Sequence, residues 1–539
     1  VSDYLSEHAR PPQAAVEPGR RQDASVPGRA GRRWLTAAGW IAGGAALFAF
    51  FVKIALSFPL NSDESSNALQ AWAMLHGHLL LHGWILGDVT FYTCELPIIA
   101  LTELFFGLSD LSSTVAASLV YLIVAACGVA LAVRGSRGAA RLARCGVVLA
   151  VLAVPLAVPY GLWVELGPPD HMGTAAFVLI AFLLIDRERV PRYTAPLVGV
   201  ILVAGQLSDA TMRYVAVPAV ILVSLYHMAV ARRIRTTDGA FALAAVLSVP
   251  AELAVRAALR HFGAYLMVAP NTTIAPAGKW GHNTVLAWSV LRWLFGASRA
   301  PHAPLGGALT ILGLIALLTT AAGLVAVAVR WRTASRTDQL LALAIVFNLA
   351  AYIVSNLPTA TNSHEIAIVL PCGAVLAARL LVPARIKAGI TARAAVIVAA
   401  AAALVPLIGA STFSPAKQPS DDLLAWLQAR HLSYGLAGYW SASAATENAG
   451  GKIDIRPIAT RKNAAWTYNW ESNVGDWYDA AKYDANFVAI QAKYPMTDTA
   501  VERAFGKPAY IANIPGWQIL VYHHNLLRQI KPTPLPTVE

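Results

Sequence analysis

Pro59-Leu60-Asn61-Ser62-Asp63-Glu64-Ser65-Ser66-Asn67-Ala68-Leu69-Gln70-Ala71-Trp72 follows a long apolar run without a break. It sets two adjacent carboxylates where that run leaves the bilayer. A span needs ~20 apolar residues, and the run over 34–59 supplies them. A secretory signal would have a core of about 7–15 residues and a small-residue cleavage site, so the run predicts a retained helix. Beyond Asp63, the residues Ala68, Trp72, Leu75 and Leu79 recur at helical spacing, with Asn67, Gln70 and His78 between them. This predicts an amphipathic helix lying in the interface, with Trp72 at headgroup depth and Ser62 or Asp63 as its N-cap. A carboxylate at a helix N-terminus is favoured in its ionised form by about 0.3–1 kcal/mol. One reading of Asp63-Glu64 is a general base kept ionised beside the membrane. The other is a plain cap, with Glu64 solvated in the first turn.

Composition supports a membrane chain. Of 539 residues, 57% are apolar and 13% charged, against roughly a quarter charged in a soluble domain. The net charge of +12 is read as a positive-inside signal rather than as a nucleic-acid surface. Cys94, Cys127, Cys145 and Cys372 form no CxxC or metal-ligand spacing, so neither a disulfide framework nor a zinc site is predicted.

Apolar length predicts about eleven spans, near 35–58, 112–133, 145–158, 173–185, 195–207, 214–231, 239–257, 305–329, 338–355, 365–382 and 394–410. Three of these are shorter than a perpendicular span. Alternate loops carry Arg134, Arg137, Arg141 and Arg144, then Arg187, Arg189 and Arg192, then Arg232, Arg233 and Arg235, then Arg330, Arg332 and Arg336, then Arg385, Lys387 and Arg393. The loop 60–111 instead holds Asp63, Glu64, Asp88, Glu95, Glu103 and Asp110 with no Lys or Arg, and 159–172 holds Glu165 and Asp170. The positive-inside rule then places the N-terminus in the cytoplasm and the Asp63 loop outside. Three regions follow: a disordered cytoplasmic segment 1–33, an all-α polytopic membrane domain 34–410, and an extracytoplasmic domain 411–539. The last region has seven of the ten Lys, and its aromatics Trp426, Trp440, Trp466, Trp470, Trp477 and Trp517 read as a packed core or as a sugar platform. A helix over 421–431 and strands over 453–458, 487–490 and 518–522 predict a small α/β fold.

Further candidates lie on the same outer face. Asp88, after Gly87, is a second base, a metal ligand or a turn residue. Asp170 and His171 lead into a span, Asp209 and Arg213 join two, and His364 and Glu365 begin another. Arg213 either binds a phosphate or pairs with Asp209. The long loop 258–304 holds Arg260, Lys279, His282 and Arg292, cations of the kind that a phosphate-bearing substrate requires. Lys53 lies near the end of the first span, where it either serves the site or snorkels out.

Asn61-Ser62-Asp63-Glu64 after the first span, the helix behind it, the multi-span body and Leu436-Ala437-Gly438-Tyr439-Trp440-Ser441-Ala442 together resemble the GT-C superfamily of polytopic glycosyltransferases. That group includes protein O-mannosyltransferases and the aminoarabinose transferase of lipid A. The resemblance implies inverting transfer of a sugar from a polyprenyl-phosphate donor to a glycan, lipid or protein acceptor outside the membrane. It implies Asp63 as the base, Glu64 as its assistant, and outer-loop cations on the leaving phosphate, with Arg213, Lys279, His282, Arg292 and Lys53 as candidates. The chain has no Asp-x-Asp that would demand a metal, and no cofactor is required. Its Ala-, Val- and Arg-rich, Lys-poor usage is similar to that of high-GC bacteria, which points to cell-wall mannosyl or arabinosyl transfer at the plasma membrane. The rivals are a transporter or flippase, a wall-polymer-binding scaffold, and an outer-face phosphotransferase. A transporter would show mid-span charges or inverted repeats, and a phosphotransferase a metal cluster; the sequence presents none of these.

Overall fold

The computed structural model describes residues 29–167, 171–187, 190–232, 236–270, 272–298, 305–387 and 389–534. Asp170, Arg189, Arg233, Arg235 and residues 1–28 therefore lie outside the described residues. The chain divides into two units, Val1–Leu47 and Phe48–Glu539. The second unit holds both the helical bundle and the C-terminal sheet, and the site lies wholly within it.

Each of the eleven apolar stretches contains a helix. Among the described residues, eight helices are long and apolar enough to cross a membrane, while Met172–Ile185, Thr194–Ser208 and Val369–Leu381 are shorter. The short helices Met172–Ile185 and Val369–Leu381 are buried almost throughout. A helix that is apolar all round belongs in a bundle interior, and these two sit among longer helices instead of facing lipid. By contrast, Leu243, Val246, Leu247, Ile397, Val398 and Leu404 on the long helices are exposed.

The arginines of the alternate loops join helix ends to one another. Arg144 donates to the carbonyls of Ala132 and Val382, both at 2.9 Å. Arg134 pairs with Asp186 at 3.0 Å, Arg379 with Asp338 at 2.6 Å, and Arg336 with Asp238 at 2.6 Å. The two Arg144 bonds satisfy carbonyls that a helix C-terminus leaves open.

The opposite ends of these helices carry the elaboration. Strand β1 (Trp84–Leu86) pairs in parallel with β2 (Leu266–Met267). The C-terminal domain is built on β3 (Tyr434–Ala437), β4 (Asp454–Arg461), β5 (Ala464–Thr467), β6 (Ser472–Asn473), β7 (Phe487–Gln491), β8 (Tyr510–Ile514) and β9 (Trp517–Val521). Six of these form one sheet in the order β5-β4-β3-β7-β9-β8. The sixth strand in chain order, β6, leaves that sheet and pairs antiparallel with β1, which stitches the domain to the bundle. The central β3 runs parallel to both β4 and β7. The helix Tyr439–Asn448 that follows it leads to β4 on one side, with β7 on the other. The carboxyl end of such a strand is a switch point, where open α/β sheets place ligands. The helix Asp421–Gln428 and the strands β4, β7 and β9 cover the stretches that the sequence assigns to this domain.

The helix Tyr439–Asn448 docks on Ser62–Leu75 through small residues. Ser66 Oγ donates to Ser443 Oγ at 3.0 Å, Ser62 Oγ donates to the Tyr439 carbonyl, and Ala68, Ala71, Ala442 and Ala445 are fully buried. Ser62–Leu75 is therefore covered by the C-terminal domain over most of its length. Its residues from Ser62 to Ala71 are nearly all buried beneath the domain, and its N-cap is Asn61, whose side chain accepts from the Asp63 and Glu64 amides. Asparagine in extended backbone fills that role better than the residues after it, which already have helical geometry.

The docking buries acids as well. Ser113 Oγ, on a membrane helix, donates to Glu447 Oε1 at 2.6 Å. Burial, then the neighbouring Glu447 and Asp110 charges, pushes Glu64 well above the ordinary carboxyl range. Burial raises Glu447 to about 7, with Asp110 adding to the rise and hydrogen bonds from Ser113 and Ser65 opposing it. Both shifts are upward, so the docked state favours the protonated acids. The stability that Glu447 contributes is complete below the ordinary glutamate value and is lost as pH rises through about 7. Thermal unfolding of the detergent-solubilised chain should therefore fall in midpoint as pH is raised across that window. Glu447→Gln should flatten the dependence; an unchanged slope in the variant would show that Glu447 does not carry it.

Candidate active site

Asp63 is one residue inside the helix Ser62–Leu75, at its amino end. A helix turns about 100° per residue, so Asp63 and Glu64 face different ways. Asp63 opens into a cavity of about 1250 Å³ between the bundle and the C-terminal domain. Glu64 instead lines a separate, narrow pocket with Glu95 and Glu165. The expected partnership of the two at one reaction centre is not what the geometry provides.

The carboxylate of Asp63 is held from above. Tyr439, the first residue of the docking helix, sets its hydroxyl 2.5 Å from Asp63 Oδ1 and 2.7 Å from Glu471 Oε2. The Tyr439 ring stacks on Tyr468 at 4.8 Å. Burial raises the Asp63 pKa, and the hydrogen bond from Tyr439 offsets part of that rise. The result is a carboxylate more basic than a solvated one and aimed into a chamber, which is the property a general base needs.

The opposite wall comes from loops that are far apart in sequence. Asp88, His171, Asp209, His364 and Glu365 all line the cavity. His171 Nδ1 lies 2.6 Å from Asp209 Oδ2, which also accepts from Thr174 Oγ1 at 2.6 Å, while Thr211 N donates to Asp209 Oδ1 at 2.8 Å. Burial would raise Asp209, but the His171 ring and these hydrogen bonds outweigh it and hold the carboxyl below its ordinary value. His171 Nε2 is 3.7 Å from Glu365, and its ring lies parallel to that of His364. Burial, then His171, pushes His364 down to about 3, so it is neutral. Asp88 is raised chiefly by burial. Tyr468, Trp440 and Trp470 complete the roof. Among the described residues, no group of three or more His, Cys, Asp or Glu has the spacing to hold a metal ion.

A second cavity, of about 970 Å³, adjoins the first and shares Asp88, Asp209, Ala210 and Pro270 with it. Arg213, Arg256 and Arg260 face into it. Arg213 and Arg256 each reach a different oxygen of the buried Glu252 at 2.5 Å. Arg213 therefore pairs with Glu252 and not with Asp209. The other cations proposed from the sequence do not line either chamber. Lys53 donates to the Ser411 carbonyl at 2.9 Å, and Lys279 and His282 are exposed at the start of the helix Trp280–Leu294, which also carries Arg292.

Sequence reasoning missed Tyr439, Glu471 and Arg256. Nothing local marks the first two, which reach Asp63 only through the domain contact. Arg256 had a signal: with Glu252 it forms an i,i+4 pair inside an apolar run, and intramembrane charges mark function by default.

Two glycines let the domains meet here. Gly83, at φ +78°, approaches Gly475, and a Cβ on Gly83 would stand 2.8 Å from Asn473 Oδ1 and 3.0 Å from the Gly475 Cα. Gly87 passes the Glu471 side chain, where an added Cβ would lie 3.2 Å from Oε1.

No family profile matches the sequence, and no curated protein matches it either. In fold the chain is similar to ArnT from Cupriavidus metallidurans. Against the apo structure the TM-score is 0.56 at 12% identity, over 92% of this chain and 100% of that one. Against ArnT bound to undecaprenyl phosphate it is 0.55 at 11% identity, over 91% and 99%. The oligosaccharyltransferase of Archaeoglobus fulgidus follows at 0.45 and 13%, over 83% and 69%. The likeness to ArnT runs the length of both chains, and the chain has an ArnT-like fold.

Gly83→Ala should separate β1 from β6 and lower stability by about 2 kcal/mol, through positive-φ strain and the close approach together. Hydrogen exchange should rise at both strands in that variant; protection equal to wild type would show that the stitch tolerates a side chain.

Proposed function

We propose that the chain is an inverting glycosyltransferase that moves a sugar from a polyprenyl-phosphate carrier to an acceptor hydroxyl on the outer face of the membrane. The observation that carries this reading is the pairing of two chambers. Asp63 looks into one, three arginines look into the other, and the two share a wall. The ArnT-like fold supports it, since the structure of ArnT was solved with undecaprenyl phosphate bound.

The arrangement performs the reaction as follows. The donor phosphate enters the arginine chamber, where Arg213, Arg256 and Arg260 supply charge-assisted hydrogen bonds. Its sugar projects into the acidic chamber. The acceptor hydroxyl lies against Asp63, which takes its proton as the oxygen attacks the anomeric carbon from the side opposite the phosphate. The bond from that carbon to the phosphate oxygen breaks, and the electron pair leaves with polyprenyl phosphate. The arginines stabilise the charge that develops on the leaving oxygen. Glu252, by holding two guanidinium groups at once, fixes their planes before the donor arrives.

The acceptor is a neutral or cationic polyol. Asp63, Asp88, Asp209, Glu365 and Glu471 line its chamber, with no Lys or Arg among the described lining residues. A phosphorylated acceptor would be repelled there, while Trp440, Trp470 and Tyr468 offer flat faces to sugar rings. Cell-wall mannosyl or arabinosyl transfer fits this chemistry. The orientation follows from the loop charges: arginine-rich loops and N-terminus cytoplasmic, C-terminal domain outside.

Asp63→Asn should insert and fold normally yet lower kcat by ~10²–10⁴-fold, the usual range for loss of a general base. Transfer at wild-type rate by the purified variant from a polyprenyl-phosphate donor would end the base assignment. Arg260→Gln, which leaves the Glu252 pairs intact, should raise the donor KM about tenfold, roughly the 1.4 kcal/mol of one lost charge-assisted bond. Acceptor KM should stay unchanged; a shift in acceptor KM alone would move the phosphate site elsewhere.

A further inference from the structure

We propose that Asp63, Tyr439 and Glu471 form one proton-sharing unit in which Glu471 holds a proton while Asp63 serves as base, so that the C-terminal domain sets the ionisation of the base. This rests on the reading of Asp63 given above.

A phenol has one hydrogen to donate. Tyr439 Oη is nevertheless 2.5 Å from one carboxyl oxygen and 2.7 Å from another, both distances typical of O–H···O hydrogen bonds to an ionised oxygen. The hydroxyl donates to only one of them at a time. The other contact needs a hydrogen too, and it comes from the carboxyl group. The unit therefore carries two protons and one negative charge. In one arrangement Glu471 donates to Tyr439, which donates to ionised Asp63. In the other, Asp63 donates to Tyr439, which donates to ionised Glu471. The two interconvert by moving two protons along the chain of oxygens while the heavy atoms stay in place.

The surroundings select the first arrangement. Asp63 is in the first turn of its helix, where the helix dipole favours a negative charge. Glu471 is buried, with backbone φ +46°, against the close face of Gly87. Among the described residues, Tyr468 stacks on Tyr439, Arg461 acts on Tyr468, and Asp88 lies one residue past Gly87. During transfer the acceptor O–H bond breaks and its proton joins Asp63, which leaves the unit neutral with three protons. Release of one proton to water in the cavity restores the resting state. Glu471 is thus a positioning residue, acting on the substrate through Tyr439 and Asp63.

Three measurements on the full-length, reconstituted chain test this. Glu471→Gln always donates to Tyr439 through its amide, which fixes Tyr439 as a donor to Asp63. Because Glu471 already holds its proton in the wild type, this isoelectric change should leave the acid limb of kcat in place; a fall of about one pH unit would be the mark of an ionised Glu471 and would overturn the proposal. Tyr439→Phe removes the bond that favours ionised Asp63, and the limb should move up by about one pH unit. A purely structural role of Tyr439 would lower kcat and leave the limb in place. In the resting protein near neutral pH, the infrared difference between wild type and Glu471→Gln should contain a carboxylic-acid C=O band, and that for Asp63→Asn only a carboxylate band. An unmoved limb in Tyr439→Phe, or an acid band that follows Asp63 instead of Glu471, would also overturn the proposal. If Asp63→Asn keeps its activity, the base reading fails, while the infrared result still locates the proton.

Discussion

Closure of the C-terminal domain over the amino end of Ser62–Leu75 is the constraint on which the site depends. It is achieved by small side chains, Ser66 on Ser443 and the buried alanines beside them, which let two helices approach closely. The same closure places the Tyr439 hydroxyl on Asp63. Without it, Asp63 would be a hydrated carboxylate at a helix cap, with the ordinary acidity of one. With it, the group is desolvated on one side, bonded on another and directed into a chamber. The strand pair β1–β6 supplies a second tie, and it joins the loop of Asp88 to the segment carrying Glu471.

The chambers separate charge by sign. Carboxylates crowd the one under the aromatic roof, and guanidinium groups crowd the one beside it. Each sign is stabilised locally: Asp209 by His171, Thr174 and the Thr211 amide, Arg213 and Arg256 by Glu252. Held apart in this way, opposite charges do not simply collapse into ion pairs across the shared wall. Preorganised charge of this kind needs no rearrangement at the moment of reaction.

Much of this was legible from hydrophobic length and loop charge. Each of the eleven apolar stretches contains a helix, although three are too short to be assigned as spans by length. Counting arginines loop by loop sorted the loops into two sets, and from the acid-bearing set Asp63, Asp88, His171, Asp209, His364 and Glu365 line one cavity. Single-residue direction was less legible. Adjacent residues on a helix diverge, so Asp63 and Glu64 part company. Lys279, His282 and Arg292 read as loop cations because 258–304 is long, but that segment contains the helix Trp280–Leu294. Tyr439 and Glu471 lie more than 370 residues from Asp63, and only the docking of two domains brings them there.

The most direct test is a structure of the chain with a polyprenyl-phosphate sugar bound. The account places the phosphate among Arg213, Arg256 and Arg260, with the anomeric carbon turned toward Asp63 across the wall formed by Asp88 and Asp209. A phosphate held instead at Lys279 or Arg292, or a sugar directed away from Asp63, would contradict it.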